Sequence, residues 1–233
     1  MTGWAAGPLA AFDLETSGVD PLEARIVTAT VAVVNVSPAI EPSRWLADPG
    51  IEIPAEATAV HGITTEHARE HGEDARRVAG GVAETLRMQW LAGRPVVIFN
   101  APYDLTVLSC ELDRYGLDPL GEIGPVIDPL VLDRVLDRFR RGKRTLVAAC
   151  EHYRVKLDGA HDSTADAVAA ARVAWRIGQV YPQVAEMTLP ELHVFQEEAY
   201  ADWAEHFEGY LRGKGSSEVI DRSWPVRRAA VEA

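Results

Sequence analysis

Cysteine is nearly absent: Cys110 and Cys150 are the only two among 233 residues. Two thiols cannot form the disulfide framework of a small secreted scaffold, and a chain of this length buries a full core without such staples. Both lie in segments of helical apolar periodicity, which reads as reduced core cysteines. A catalytic thiol needs a base beside it, and His152 falls on a different helical face from Cys150. Long apolar runs are missing too. No stretch of 18 apolar residues occurs, and the opening MTGWAAGP has neither a basic n-region nor a full apolar h-region. The expectation is a cytoplasmic protein with no signal peptide and no membrane span. Positive charge is scarce, with 23 Lys and Arg against 35 Asp and Glu, a net charge of -12. That excludes a protein held to nucleic acid by its whole surface, and leaves a local basic patch or acids neutralised by bound cations.

Repeats and low-complexity tracts are also lacking, so the chain reads as one large domain or one domain with an appendage. Residues 9–14 and 26–36 are rich in β-formers and read as strands, with the turn residues SGVDP between them. RWLADPG reads as a third short strand ending at Pro49-Gly50. From Thr58 to Leu91 the pattern turns helical, with one helix starting near Thr64 and another over Ala75 to Leu91. PVVIF at 95–99 reads as a central strand, Tyr103 to Tyr115 as an amphipathic helix, and PVIDPLVL at 125–132 as another strand. Thr145 N-caps a helix to Tyr153, and Thr164 to Val180 forms a long Ala-rich helix. Pro190 to Gly213 reads as a separate helix whose aromatic stripe is a docking face. Strands followed by alternating helix and strand predict an α/β mixed sheet flanked by helices. The domain expectation is 1–185 for that unit and 186–233 for a C-terminal helical extension and tail.

The chemistry starts from LAAFDLETSGVD, residues 9–20, where Asp13 and Glu15 interrupt an apolar strand. Residues i and i+2 of a strand share a face, so both carboxylates project together. Unneutralised, each charge there costs several kcal/mol, on the order seen in real interiors. They need protons, a cationic partner or a metal, and no Arg or Lys occurs until Arg25. Oxygen-only ligands suit Mg²⁺ or Mn²⁺. The plainer reading is a solvated pair at the sheet rim. Asp104 follows the central strand in the first turn of the next helix, where the dipole alone favours an acid. Asp166 lies on the apolar stripe Ala169, Ala170, Val173 and Ile177, with a cap interaction to Ser163 or Thr164 as the alternative. His161 sits in the preceding loop DGAHDST.

The ordered set FDLETSG (12–18), NAPYD (100–104) and H-x4-D (161–166) resembles the three motifs of the DEDDh, or DnaQ-like, 3′–5′ exonuclease family, including DNA polymerase III epsilon-like proteins. PGIEIPAEATAVHGIT at 49–64 is similar to the stretch between the family's first two motifs. The resemblance covers roughly residues 8–180 and implies a ribonuclease H-like fold with the C-terminal helix outside it. It also implies that Asp13, Glu15, Asp104 and Asp166 hold two divalent cations, Mg²⁺ or Mn²⁺, with Asp13 bridging them. His161 is then the general base for the attacking water, with a pKa range suited to neutral pH. Two cations stabilise the attacking and leaving oxygens of phosphodiester hydrolysis.

On the substrate side, the resemblance implies that the backbone at Thr16 and Ser17 takes the 3′-terminal hydroxyl, although both are also ordinary turn residues. His61 and Ile63 lie near the terminal nucleotide, with Ile63 stacking on its base, and Asn100 supports the site from behind. RVLDRFRRGKR at 134–144 holds six basic residues against Asp137. It reads as a solvated loop or as a contact to a nucleic-acid backbone. The implied substrate is a single-stranded or frayed 3′ end of DNA, for proofreading, repair or processing. The alternatives are an RNA exonuclease of the same family, akin to ribonuclease T or oligoribonuclease, and a non-catalytic nucleic-acid-binding protein on the same fold. A DNA polymerase is a candidate partner. However, no clamp-binding motif of the Gln-x-x-Leu-x-Phe type follows residue 180, which favours a stand-alone enzyme. Nothing in the sequence requires a homo-oligomer or a membrane.

Overall fold

The computed structural model of the chain describes residues 3–35, 39, 41–157 and 162–227. Strand β1 (Leu9–Thr16) is the axis of the molecule. It pairs antiparallel with β2 (Ile26–Val34), which pairs antiparallel with β3 (Ser43–Asp48). The chain then makes two short helices, α1 (Ala55–His61) and α2 (Thr65–His71). Gly62, at φ 78°, ends α1 in the left-handed region, and Thr64 caps α2 by accepting from the His67 N–H. The helical pattern expected from Thr58 to Leu91 is thus three helices, the last being α3 (Ala75–Leu91) after the two-residue strand β4 (Glu73–Asp74).

Two more strands lie on the other side of β1. These are β5 (Val96–Val97), parallel to β1, and β6 (Val126–Ile127), parallel to β5. The full order is β4-β3-β2-β1-β5-β6. Helix α4 (Ala101–Arg114) connects β5 to β6. The expected strand over 125–132 shrinks to Val126 and Ile127, because Asp128 caps a helix. Its carboxylate accepts from the Leu130 and Val131 N–H groups, and Pro129 occupies the first helical position of α5 (Pro129–Leu136). Asp-Pro is a helix-start signal, and the apolar run Leu-Val-Leu that follows is compatible with either structure. Helices α6 (Leu146–Tyr153), α7 (Ser163–Val180), α8 (Pro182–Ala185) and α9 (Leu189–Gly213) follow among the described residues.

Alternation along β1 divides the core. Ala10, Phe12 and Leu14 join α3 and α4 on one face, while Leu9 and Ala11 join α6 and α7 on the other. Asp13 and Glu15 continue the second row, so β1 carries them towards the N-terminal end of α7. Helix α9 begins in a capping box between Thr188 and Glu191 and buries Leu192, Gln196, Tyr200 and Ala204. Gln196 donates from Nε2 to the Val126 carbonyl at 3.0 Å and accepts the Asp128 N–H at 2.7 Å, which fastens α9 to the end of β6. Trp203, Phe207 and Tyr210 stack along the helix, with Tyr210 exposed.

A candidate metal centre between two clefts

Three carboxylates meet where β1 runs past the first turn of α7. Asp13, Glu15 and Asp166 each offer an oxygen, and these oxygens all lie within 4.8 Å of one another. The strand period places the first two together. The third is delivered by hydroxyl contacts: Thr30 Oγ1, on the β2 residue paired with Asp13, lies 2.9 Å from Ser163 Oγ and 3.1 Å from Thr164 Oγ1. Asp162 N-caps α7 by accepting from the Thr164 and Ala165 N–H groups. The cap is therefore Asp162, not Asp166, and Asp166 is left on the inward side among the acids.

Asp104 approaches from the opposite face of the sheet. It is buried in the first turn of α4, and its Oδ1 accepts the Leu14 N–H at 3.0 Å. It is not one of the three mutually close carboxylates, yet it is the neighbouring charge that most raises the pKa of Asp13. The turn before α4 is fixed by Asn100, which adopts φ 71°, a left-handed conformation that Asn tolerates. Behind it, the fully buried Asp128 accepts the N–H groups of Asn100 at 3.1 Å and Ala101 at 2.9 Å. Asp128 thus joins the start of α4 to the start of α5. The indole of the buried Trp224 lies 3.5 Å from the same carboxylate. Neither Asp128 nor Thr30 stood out in the sequence. The only signal was the Asp-Pro pair, and it was outweighed by the apolar residues around it.

The electrostatics are those of a site short of positive charge. Burial first, then Asp104, Glu15 and Asp166, raises the Asp13 carboxyl well above the usual range. Burial, followed by Asp166 and Asp162, pushes Glu15 up to about 7. Burial also raises Asp104 despite the hydrogen bond from Leu14. Carboxylates with raised proton affinity form a hard, all-oxygen donor set, the kind that Mg²⁺ or Mn²⁺ prefers. The residues present fit a divalent cation.

Two clefts flank the acids and share Glu15 and His61. The larger, about 460 Å³ and mostly apolar, runs from Glu15 over Thr16, Ser17 and Val60 to Tyr103. Tyr103 Oη is hydrogen-bonded to Thr16 Oγ1 and to the Gly18 carbonyl. Ser17 is committed to its turn: its N–H donates to the Arg25 carbonyl and its hydroxyl accepts the Arg25 N–H. His61 Nδ1 accepts the Ile63 N–H at 3.2 Å, and burial lowers its pKa. Ile63 is half-buried and lines the smaller cleft. His161 lies outside the described residues.

The basic run 134–144 turns inward. Asp133 is fully buried, and its carboxylate receives Arg140, Arg144 at 2.7 Å and the Tyr153 hydroxyl at 3.0 Å. Burial works to raise this carboxyl, but the two guanidiniums and the phenol outweigh it and hold the pKa below the ordinary value. The Arg134 guanidinium stacks 3.7 Å from the Trp203 ring centre. Three of the six basic residues, Arg134, Arg140 and Arg144, are therefore engaged with the protein's own side chains, while Arg138, Arg141 and Lys143 stay exposed. Both cysteines are free thiols, and burial pushes Cys150 up to about 11, so it is not a nucleophile near neutral pH.

Comparison with known proteins agrees with this geometry. A family model described as exonuclease, of the RNase T type, matches residues 10–174. The DNA polymerase III epsilon subunit of Rickettsia prowazekii is 26% identical over 167 residues, 69% of each chain. A PolC-type DNA polymerase III from Streptococcus thermophilus is 26% identical over 166 residues, 70% of this chain and 10% of that protein. Among solved structures, E. coli exonuclease I in complex with a dT13 oligonucleotide superposes with a TM-score of 0.61 at 21% identity. That match covers 76% of this chain and 42% of exonuclease I. The nuclease domain of 3′hExo, a DEDDh family member bound to rAMP, gives a TM-score of 0.62 at 16% identity over 77% of this chain and 96% of that one. The mixed six-stranded sheet between helices is thus the ribonuclease H-like exonuclease fold. Among the described residues, no helix is long and apolar enough to cross a membrane.

Proposed function

The chain belongs to the exonuclease family whose model spans residues 10–174, and from that premise we propose that it is a divalent-metal-dependent 3′–5′ exonuclease acting on single-stranded or frayed DNA ends. The observation that carries this reading is the convergence of Asp13, Glu15 and Asp166 oxygens within 4.8 Å, with Asp104 anchored to the backbone between the first two. Asp13, Glu15, Asp104 and Asp166 hold two cations, Mg²⁺ or Mn²⁺. Bound there, the cations neutralise the charge that develops on the attacking and leaving oxygens of phosphodiester hydrolysis.

The chain's own groups do the rest. The apolar cleft floored by Thr16 and walled by Val60 and Tyr103 takes the terminal nucleoside. His61 lines both clefts and Ile63 the smaller one, where they separate the last base from the one before it. Asn100 and Asp128 hold the α4 turn so that Asp104 reaches the acids. His161, five residues before Asp166, accepts a proton from the attacking water, and the departing 3′ oxygen of the shortened strand is protonated from solvent. DNA is favoured over RNA by the names of the relatives, a DNA polymerase subunit and a DNA polymerase. Helix α9 and Trp224 dock on this chain itself, which supports a stand-alone enzyme over a polymerase-tethered one. The domain boundary then falls near residue 185, with the remainder acting as a strap.

The test is digestion of a 5′-labelled single-stranded oligonucleotide with Mn²⁺ or Mg²⁺, with DNA and RNA side by side. A ladder shortening from the 3′ end, absent with EDTA and in Asp13→Ala, is the expected result. Full-length DNA under every metal condition leaves the non-catalytic binding reading in its place.

A further inference from the structure

The second, smaller cleft opens into a surface channel that no comparison assigns. It runs from Glu15 past Thr28 and Thr30 to Arg44 and Trp45. Arg44, Asp162 and Thr164 are shared with a cleft of about 370 Å³ that adds Lys156 and Arg172. Lys156 and Arg172 are shared in turn with a third cleft, about 400 Å³, lined by Arg154, Trp175 and Arg176. Helix α7 forms the floor. Thr164, Val168, Arg172 and Arg176 repeat every four residues along one face, covering about 18 Å of helix. The helix that brings Asp166 to the acids therefore also carries Arg172 and Arg176 further along the row that starts at Thr164.

The charge distribution makes this channel unusual for the molecule. The chain has a net charge of -12, yet five cations line these clefts and only Glu15 and Asp162 are acidic among the residues lining them. Asp162 is already committed as the α7 cap. Arg44, Arg154 and Arg172 are exposed, and among the described residues none forms an ion pair with a carboxylate. The run at 134–144 keeps Arg138, Arg141 and Lys143 exposed, but none of them lines these clefts.

We propose that Arg44, Lys156 and Arg172, continued by Arg154, form a backbone track for the single strand upstream of the scissile bond. This rests on the exonuclease reading of the acids. Terminal nucleoside in the apolar cleft, scissile phosphate at Glu15 and earlier phosphates along α7 give one continuous path. Phosphate contacts of this kind position a strand without reading its sequence, and they make binding salt-dependent. A strand long enough to reach Arg172 binds more tightly than a dinucleotide that stops at the acids.

The experiment compares wild type with the double variant Arg44→Ala/Arg172→Ala, and with the charge-matched control Arg138→Ala/Arg141→Ala, each checked for folding by its melting curve. Binding of a 5′-fluorescein 20-mer DNA single strand is followed by anisotropy in EDTA from 50 to 200 mM salt. KM is measured with Mn²⁺ on the same 20-mer and on a dinucleotide. The track predicts that Arg44→Ala/Arg172→Ala flattens the log–log salt slope by about 1.4, or about 0.7 for each cation lost. It also predicts loss of the KM advantage of the 20-mer over the dinucleotide, with a smaller change in the control. An unchanged slope and an unchanged length advantage overturn the track while leaving the nuclease intact, and so does an equal or larger effect in the control. Wild type that binds the 20-mer but digests neither substrate overturns the exonuclease reading alone, because the anisotropy arm needs no catalysis.

Discussion

The Asp104 carboxylate accepts a hydrogen bond from the backbone N–H of Leu14, the residue between Asp13 and Glu15. One side chain of α4 therefore fixes the strand segment that carries both β1 acids and adds its own negative charge beside them. These two contributions separate on mutation. Asp104→Asn keeps an acceptor for Leu14 and removes the charge, so the metal-free protein melts at or above the wild-type temperature. Asp104→Ala leaves the N–H buried without its acceptor and costs about 1–3 kcal/mol. Both variants lose nuclease activity by roughly 10²-fold or more, the scale of removing a preorganised electrostatic group. Melting curves in EDTA beside rate measurements in Mn²⁺ check the split.

The raised acids also make stability depend on pH in a direction opposite to that of ordinary paired carboxylates. Glu15 binds its proton more tightly in the fold, at about 7, than in the unfolded chain near 4.5. The folded state therefore holds the extra proton between those values. The stability due to that proton is full below pH 4.5 and is lost as pH rises through 7. After allowance for the solvent that reaches this carboxyl, the loss is on the order of 1–2 kcal/mol. The metal-free protein should melt lower at pH 8 than at pH 6, Glu15→Gln should flatten that difference, and added Mn²⁺ should stabilise more at pH 8 than at pH 6.

Asp133 is a structural centre away from the acids. Arg140, Arg144 and Tyr153 converge on its buried carboxylate, and removing one member of a buried ionic group costs about 3–5 kcal/mol. Asp133→Ala should lower the denaturation midpoint accordingly, while Mn²⁺ affinity of the fraction that remains folded stays within about twofold of wild type. A large loss of metal affinity without a loss of stability contradicts this separation.

Much of the site was legible because it obeys simple periods. Asp13 and Glu15 share a face by strand alternation, and Asp166 stood out as an acid on an apolar helical stripe. Asp104 followed from its place after PVVIF. What the sequence hid has physical reasons. Asp128 sits in an apolar run that fits a strand or a helix equally well, and only the Asp-Pro start distinguishes them. Thr30 is one β-former among many until α7 is packed over it. The basic run at 134–144 shows its charge but not the direction of its side chains, and the buried Asp133 that turns them inward lies just outside the run. Arg44, Lys156 and Arg172 come from three separate segments, and only the packing of α7 against β1 and β2, with β3 beside β2, brings them to one cleft.

The most direct test of the whole account is metal binding itself. Titration of the metal-free protein with Mn²⁺, followed by calorimetry, should show two ions per chain at pH 7.5. Binding should weaken sharply at pH 5.5 as Glu15 and Asp13 take up protons, and it should be lost in Asp13→Ala. Heat signals that are the same for wild type and Asp13→Ala, or binding that is indifferent to pH across that range, contradict the claim that these acids hold the cations.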